Sequence, residues 1–98
     1  MQVRRAAEID LAAAQKWYET QRRGLGAEFH QAVSQVFARL TNNPLIYPAI
    51  YRDVRRAVVH RFPYLIWYSV LGEDLTVLAC THSRLRPNKA LSRLEKET

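Results

Sequence analysis

Arg55-Arg56-Ala57-Val58-Val59-His60-Arg61-Phe62-Pro63-Tyr64-Leu65-Ile66-Trp67-Tyr68-Ser69-Val70 reads as two neighbouring strands interrupted at a proline. β-Branched and aromatic residues dominate both halves, which suits a pleated, half-buried surface. Pro63 lacks a backbone donor and so marks a turn or a strand edge. Gly72-Glu73-Asp74 makes the next turn, and Leu75 to His82 continues as a third strand. The predicted strands cover 54–62, 64–71 and 75–82, and links this short join antiparallel neighbours, since a parallel crossover needs a longer connection.

Upstream of this sheet the period changes. Ala7, Leu11, Ala14 and Tyr18 fall at helical spacing, with Ala6, Asp10, Ala13 and Trp17 as a neighbouring row. Gly24 and Gly26 punctuate the chain, and a second helix is predicted from Leu25 to Leu40 on Phe29, Val33, Val36 and Leu40. Thr41-Asn42-Asn43-Pro44 ends it, because Asn favours a helix C-terminus and Pro cannot continue one. Leu45 to Asp53 reads as a loop, Met1 to Arg5 as a brief edge strand, and Leu91 to Glu97 as a short last helix. The predicted fold is α+β, ordered β-α-α-β-β-β, with an antiparallel helical hairpin packed on a small antiparallel sheet.

A chain of 98 residues makes one domain, 1–98, with a single modest core. No run reaches the roughly 18 apolar residues that span a bilayer. The expected location is therefore cytoplasmic, with no membrane partner. Cys80 stands alone, which rules out an intrachain disulfide and reads as a small buried hydrophobe. Lys plus Arg number 15 against 9 Asp plus Glu, a formal charge of +6, and such a chain is drawn to nucleic acid, anionic surfaces or an acidic protein. The acids sit mostly in the first third, so the positive field belongs to the C-terminal half.

Most familiar chemistry is missing. His30, His60 and His82 show no close ligand spacing, so neither metal nor cofactor is expected. No serine sits in a nucleophile elbow, and Gly24-Leu25-Gly26 lacks the strand and the Lys-Ser/Thr of a phosphate loop. The arginines remain. Alternation puts Arg55, Ala57, Val59 and Arg61 on one face and Val54, Arg56, Val58, His60 and Phe62 on the other. They read either as solvated edge charges that oppose aggregation or as a basic surface joined by Arg84, Arg86 and Lys89. Tyr64, Trp67 and Tyr68 likewise read as core or as base-stacking platforms.

Ala7-Glu8-Ile9-Asp10-Leu11, Trp17-Tyr18-Glu19, Asn43-Pro44, Val54-Arg55-Arg56, Arg61 to Tyr68 and His82-Ser83-Arg84-Leu85-Arg86-Pro87 together make the chain resemble the RelE/ParE superfamily of toxins from type II toxin–antitoxin modules, the plasmid-stabilisation type. The resemblance implies a small basic toxin neutralised by a cognate antitoxin with an acidic segment, and operator DNA met only through that antitoxin. RelE-like members cut messenger RNA on the ribosome; ParE-like members inhibit DNA gyrase and need no cleavage chemistry.

Arg84 matches a basic position of the nucleases. Leu65 stands where an arginine would follow the turn tyrosine, no tyrosine follows Tyr68, and no lysine lies between Lys16 and Lys89. These departures place the chain nearer ParE, with a ribosome-dependent endoribonuclease as the alternative and an inactive antitoxin-binding module as a further one. The expected target- or antitoxin-binding residues are Arg55, Arg56, Arg61, Arg84 and Arg86, meeting at one sheet edge, with His60, His82 and Lys89 in support. No catalytic residue is assigned.

Overall fold

The computed structural model describes residues 1–96 and has the expected α+β arrangement. Along the chain come β1 (Gln2–Val3), α1 (Arg5–Gln21), α2 (Leu25–Asn42), β2 (Ala49–Tyr51), β3 (Val54–Val58), β4 (Tyr64–Leu71), β5 (Asp74–His82) and α3 (Pro87–Lys96). Among the described residues no helix is long and apolar enough to cross a membrane.

The predicted apolar rows lie inward. On α1, Ala7, Ala14 and Tyr18 are buried, and on α2 so are Phe29, Ala32, Val33, Val36 and Leu40. Small residues on α1 let it approach β5 closely. The helices are joined by Arg22 to Gly24, with Gly24 in the left-handed region at φ 90°. Gly26 is not part of that turn. It lies inside α2 against α1, where an added Cβ would meet the Gln15 carbonyl oxygen at 2.8 Å. Glu19 of α1 accepts from the Gly24 and Gly26 N–H groups at 3.0–3.2 Å, so one carboxylate satisfies donors that open α2.

The sheet order is β1-β5-β4-β3-β2. β3, β4 and β5 form the predicted antiparallel meander, and β2 adds antiparallel to β3 inside the segment expected to be loop. β1 runs parallel to β5, pairing Gln2 with Thr76 and Val3 with Val77, so the sheet is mixed rather than wholly antiparallel. The parallel pairing follows from α1, which carries the chain away from the sheet before β2.

Pairing shifts between Trp67↔Ala79 and Tyr68↔Val77, which leaves Leu78 as an extra residue. Leu78 and Ala79 consequently join one core cluster, while Val77 and Cys80 join the other. The first cluster lies between the helical hairpin and the face carrying Ala57, Ile66 and Tyr68. The second lies under α3, where Ala90 and Leu94 cover Trp67 and Leu78. Trp67 and Tyr68 are 1% and 0% exposed, so their rings pack in the interior. The last helix starts earlier than expected, at Pro87, whose fixed φ suits a first helical position. Its expected end, Glu97, and Thr98, the end of the single-domain reading, lie outside the described residues.

Candidate functional site

β3 stops at Val58, four residues before its predicted end. Arg61 takes a left-handed backbone (φ 74°), so it belongs to the turn into β4 and does not share a strand face with Arg55. The fold nevertheless brings this turn beside the β5–α3 link. Tyr64 pairs with His82, and the Ser83 N–H donates to the Pro63 carbonyl at 2.8 Å. Arg61, Arg84 and Arg86 are therefore presented at the same end of the sheet, all exposed.

The link itself is well fixed. The Arg84 N–H donates to His82 Nδ1 at 3.0 Å, and the Leu85 N–H donates to the His82 carbonyl at 3.0 Å. An Nδ1 that accepts must carry its lone pair, which places the ring proton on Nε2. The Tyr64 ring stands edge-on to the imidazole with centroids 5.2 Å apart. The Arg86 carbonyl accepts from Lys89 and Ala90 at 3.0 Å each, so Arg86 opens α3 and Lys89 projects from its first turn.

The remaining predicted residues divide between the two faces. Arg56 is half-buried on the α3 side, its guanidinium 5.5 Å from the Trp67 ring. Arg55 points to the helical-hairpin side, where its Nη1 donates to the Tyr47 carbonyl. Nearby the Tyr68 hydroxyl donates to the Pro44 carbonyl at 3.1 Å, so these groups hold the α2–β2 loop. Arg55 does not join the other arginines at the sheet end. Arg61 pairs with Glu28 at 2.9 Å, and Arg22 reaches the same carboxylate at 2.8 Å. Hydrogen bonds from Arg22 and then Arg61 hold the Glu28 carboxyl below its ordinary range. His60 is exposed in the β3–β4 turn. Among the described residues no three His, Cys, Asp or Glu side chains gather as metal ligands.

Sequence reasoning missed one part of this surface. A shallow groove of about 420 Å³ runs between α1 and the β5–α3 link, and Trp17, Tyr64, His82, Leu85 and Arg93 line it. Trp17 is 54% exposed. The signal was its place in the outer α1 row with Asp10 and Ala13, which only the fold sets beside His82. The arrangement offers an aromatic groove flanked by exposed cationic side chains, and arginines bind anions well but carry protons poorly at neutral pH.

The family model described as the ParE toxin of type II toxin–antitoxin system, parDE, matches residues 1–86. Arg84 and Arg86 fall inside the match, whereas Lys89 and the rest of α3 lie past it. Among solved structures the chain is similar to one from the chromosomal ParDE system of P. aeruginosa, with 19% identity and a TM-score of 0.72 over 83% of this chain and 91% of that one. At that identity the likeness concerns the fold. No curated protein matches the chain.

Proposed function

We propose, because the chain belongs to the ParE toxin family of type II toxin–antitoxin systems, that it is a cytoplasmic growth inhibitor that grips DNA gyrase and is neutralised by a cognate antitoxin. One observation carries this reading: the cations exposed at the sheet end, Arg84, Arg86 and Lys89, have no acid–base pair arranged among them. Cleavage of RNA by its 2′-hydroxyl needs a base, an acid and phosphate stabilisation. Here His82 Nδ1 is already occupied by the Arg84 N–H, and arginines supply only the last of the three. The sheet face toward α3 carries an apolar cluster of Trp67, Leu78, Ala90 and Leu94.

The groove bounded by Trp17 and Leu85 suits an apolar antitoxin segment, with its acids meeting Arg84 and Arg86. Such a module would stabilise a plasmid or a chromosomal locus, and operator DNA would be met through the antitoxin. The second reading, a ribosome-dependent endoribonuclease, draws on the adjacency of His82 and Arg84, with Nε2 left free for proton transfer.

Inducing the chain alone in bacteria, then measuring plasmid supercoiling and mapping messenger RNA 5′ ends, separates the readings. Relaxed plasmid or gyrase-linked breaks with intact messages support gyrase. In-frame message cuts with normal supercoiling overturn it in favour of the nuclease. Unimpaired growth with retained antitoxin binding leaves an inactive module.

A further inference from the structure

Between α1 and α2, on the side of the hairpin turned away from the sheet, runs a groove that plays no part in the reading above. Its deeper half, about 300 Å³, has Leu11 of α1 and Val33 and Phe37 of α2 in its lining, with Leu11 and Phe37 only half-buried. Glu8 stands in this half. The groove continues past Ala12 and Gln15, which line both halves, to Lys16. Ala12 itself is exposed.

Charge decides what can lie there. The two helices hold Arg5, Lys16 and Arg39 against Glu8, Asp10, Glu19 and Glu28, a net −1, although the whole chain is +6. Two copies of so basic a chain therefore repel each other least when their hairpins face each other. Within the groove, Glu19 is already spent on the Gly24 and Gly26 N–H groups. Glu8 and Lys16 form no ion pair among the described residues. One unspent charge of each sign favours neither an acidic nor a basic partner. It does match itself. Glu8, Ala12 and Lys16 fall at i, i+4 and i+8 on one row of α1, the two charges about 6 Å to either side of the alanine. A two-fold axis crossing α1 at Ala12 sets each Glu8 opposite Lys16 of a second copy.

We propose that the chain forms a symmetric dimer through this face, α1 antiparallel to α1 of the second copy, Ala12 at the axis, and Glu8 of each copy paired with Lys16 of the other. A two-fold interface makes every contact twice, so one row of α1 supplies two ion pairs. The small side chain at the axis lets the helices approach to about 8 Å, and the second copy covers Leu11 and Phe37. Helices of 17 and 18 residues are each about 25 Å long, and side by side they present a face roughly 20 Å wide. Two such faces bury about 1,000 Å², the lower bound for a specific interface, which points to a reversible dimer of about micromolar affinity. The sheet ends bearing Arg84 and Arg86 stay uncovered, so the dimer carries two of them.

The test is sedimentation velocity of the full chain from about 1 μM to about 500 μM, where the mean mass should climb toward twice that of the monomer. Glu8→Lys and Lys16→Glu should each weaken self-association by roughly tenfold or more, since both place like charges opposite each other. An equimolar mixture of these two variants should associate again, because every pair across the axis then joins opposite charges. Ala12→Arg sets a long cation on the axis and should keep the chain monomeric with its melting temperature unchanged. The charge variants keep the test decisive if Ala12→Arg does not fold. A monomer at every concentration overturns the assignment and leaves the groove to the antitoxin. A dimer indifferent to Glu8→Lys and Lys16→Glu, or a mixture of the two that stays monomeric, overturns it as well.

Discussion

Asp10 and Arg93, 83 residues apart in the chain, meet with one guanidinium nitrogen 3.1 Å from each carboxylate oxygen. The same carboxylate accepts from the Cys80 N–H at 3.0 Å, on the stretch of β5 that β1 does not reach. One acid from α1 thereby covers a bare sheet edge and ties the hairpin layer to α3, where unpaired strand groups would otherwise invite another chain. Asp10→Ala should lower stability by about 1–3 kcal/mol, the range for stranding a partly buried donor. Urea unfolding checks the loss, and faster amide exchange at Cys80 locates it.

The Trp67 indole N–H donates to Thr81 Oγ1 at 2.9 Å in the interior under α3. Thr81→Val leaves that N–H without an acceptor and should cost about 1–2 kcal/mol. In Trp67→Phe with Thr81→Val both polar partners are gone, so the double variant should lose less than the sum of the single ones. A double-mutant cycle in denaturant measures the coupling.

Gly26→Ala places a Cβ 2.8 Å from the Gln15 backbone oxygen and 2.9 Å from Glu19 Oε1. The backbone oxygen cannot swing aside, so α1 and α2 must separate, at about 1–3 kcal/mol as for other overpacked contacts. Gly24→Ala meets no neighbour and pays only for its left-handed backbone, about 1 kcal/mol. Thermal melts of the two variants should rank them in that order.

Burial, with help from the Asp10 charge, pushes the Cys80 thiol up to about 12 from 9.0. The folded chain thus keeps its proton over a range where the unfolded chain gives it up. Stability from this group is whole below pH 9.0 and falls as pH rises toward about 12. Alkylation by iodoacetamide near neutral pH should proceed only through unfolding, so its rate should follow added urea rather than small changes of pH.

Arg55 and Arg84 should separate cleanly by their variants. Arg84→Ala, on the exposed link, should leave stability within about 0.5 kcal/mol while reducing growth inhibition. Arg55→Ala removes the donor to the Tyr47 carbonyl from a half-buried position and should cost about 1–3 kcal/mol. Growth after induction, paired with urea midpoints, gives both readouts.

Much of the fold was legible because the periods were clear. Phe29, Val33, Val36 and Leu40 could only be a helix face, and Tyr64 to Leu71 could only be a buried strand. The turn at Arg61 was harder, since Val59-His60-Arg61-Phe62 keeps a strand-like composition while the backbone turns through a left-handed residue. β2 was hidden by Pro48 and by its shortness, whereas β1 was legible as an edge strand and only its parallel partner, more than seventy residues away, was not. The arginines were legible as a basic set but not as a site. Alternation sets Arg55 and Arg56 on opposite faces, yet only tertiary contacts show that one braces a loop and the other lies over Trp67. Asp10 carried no motif at all, because what it does depends on an edge that sequence spacing does not display.

The parallel pairing of Gln2–Val3 with Thr76–Val77 also sets an order in time. β1 has no strand to pair with until β5 has been made. Contacts this distant in sequence slow folding. A nascent chain must be synthesised past β5 before it can complete the surface that joins Trp17 to His82.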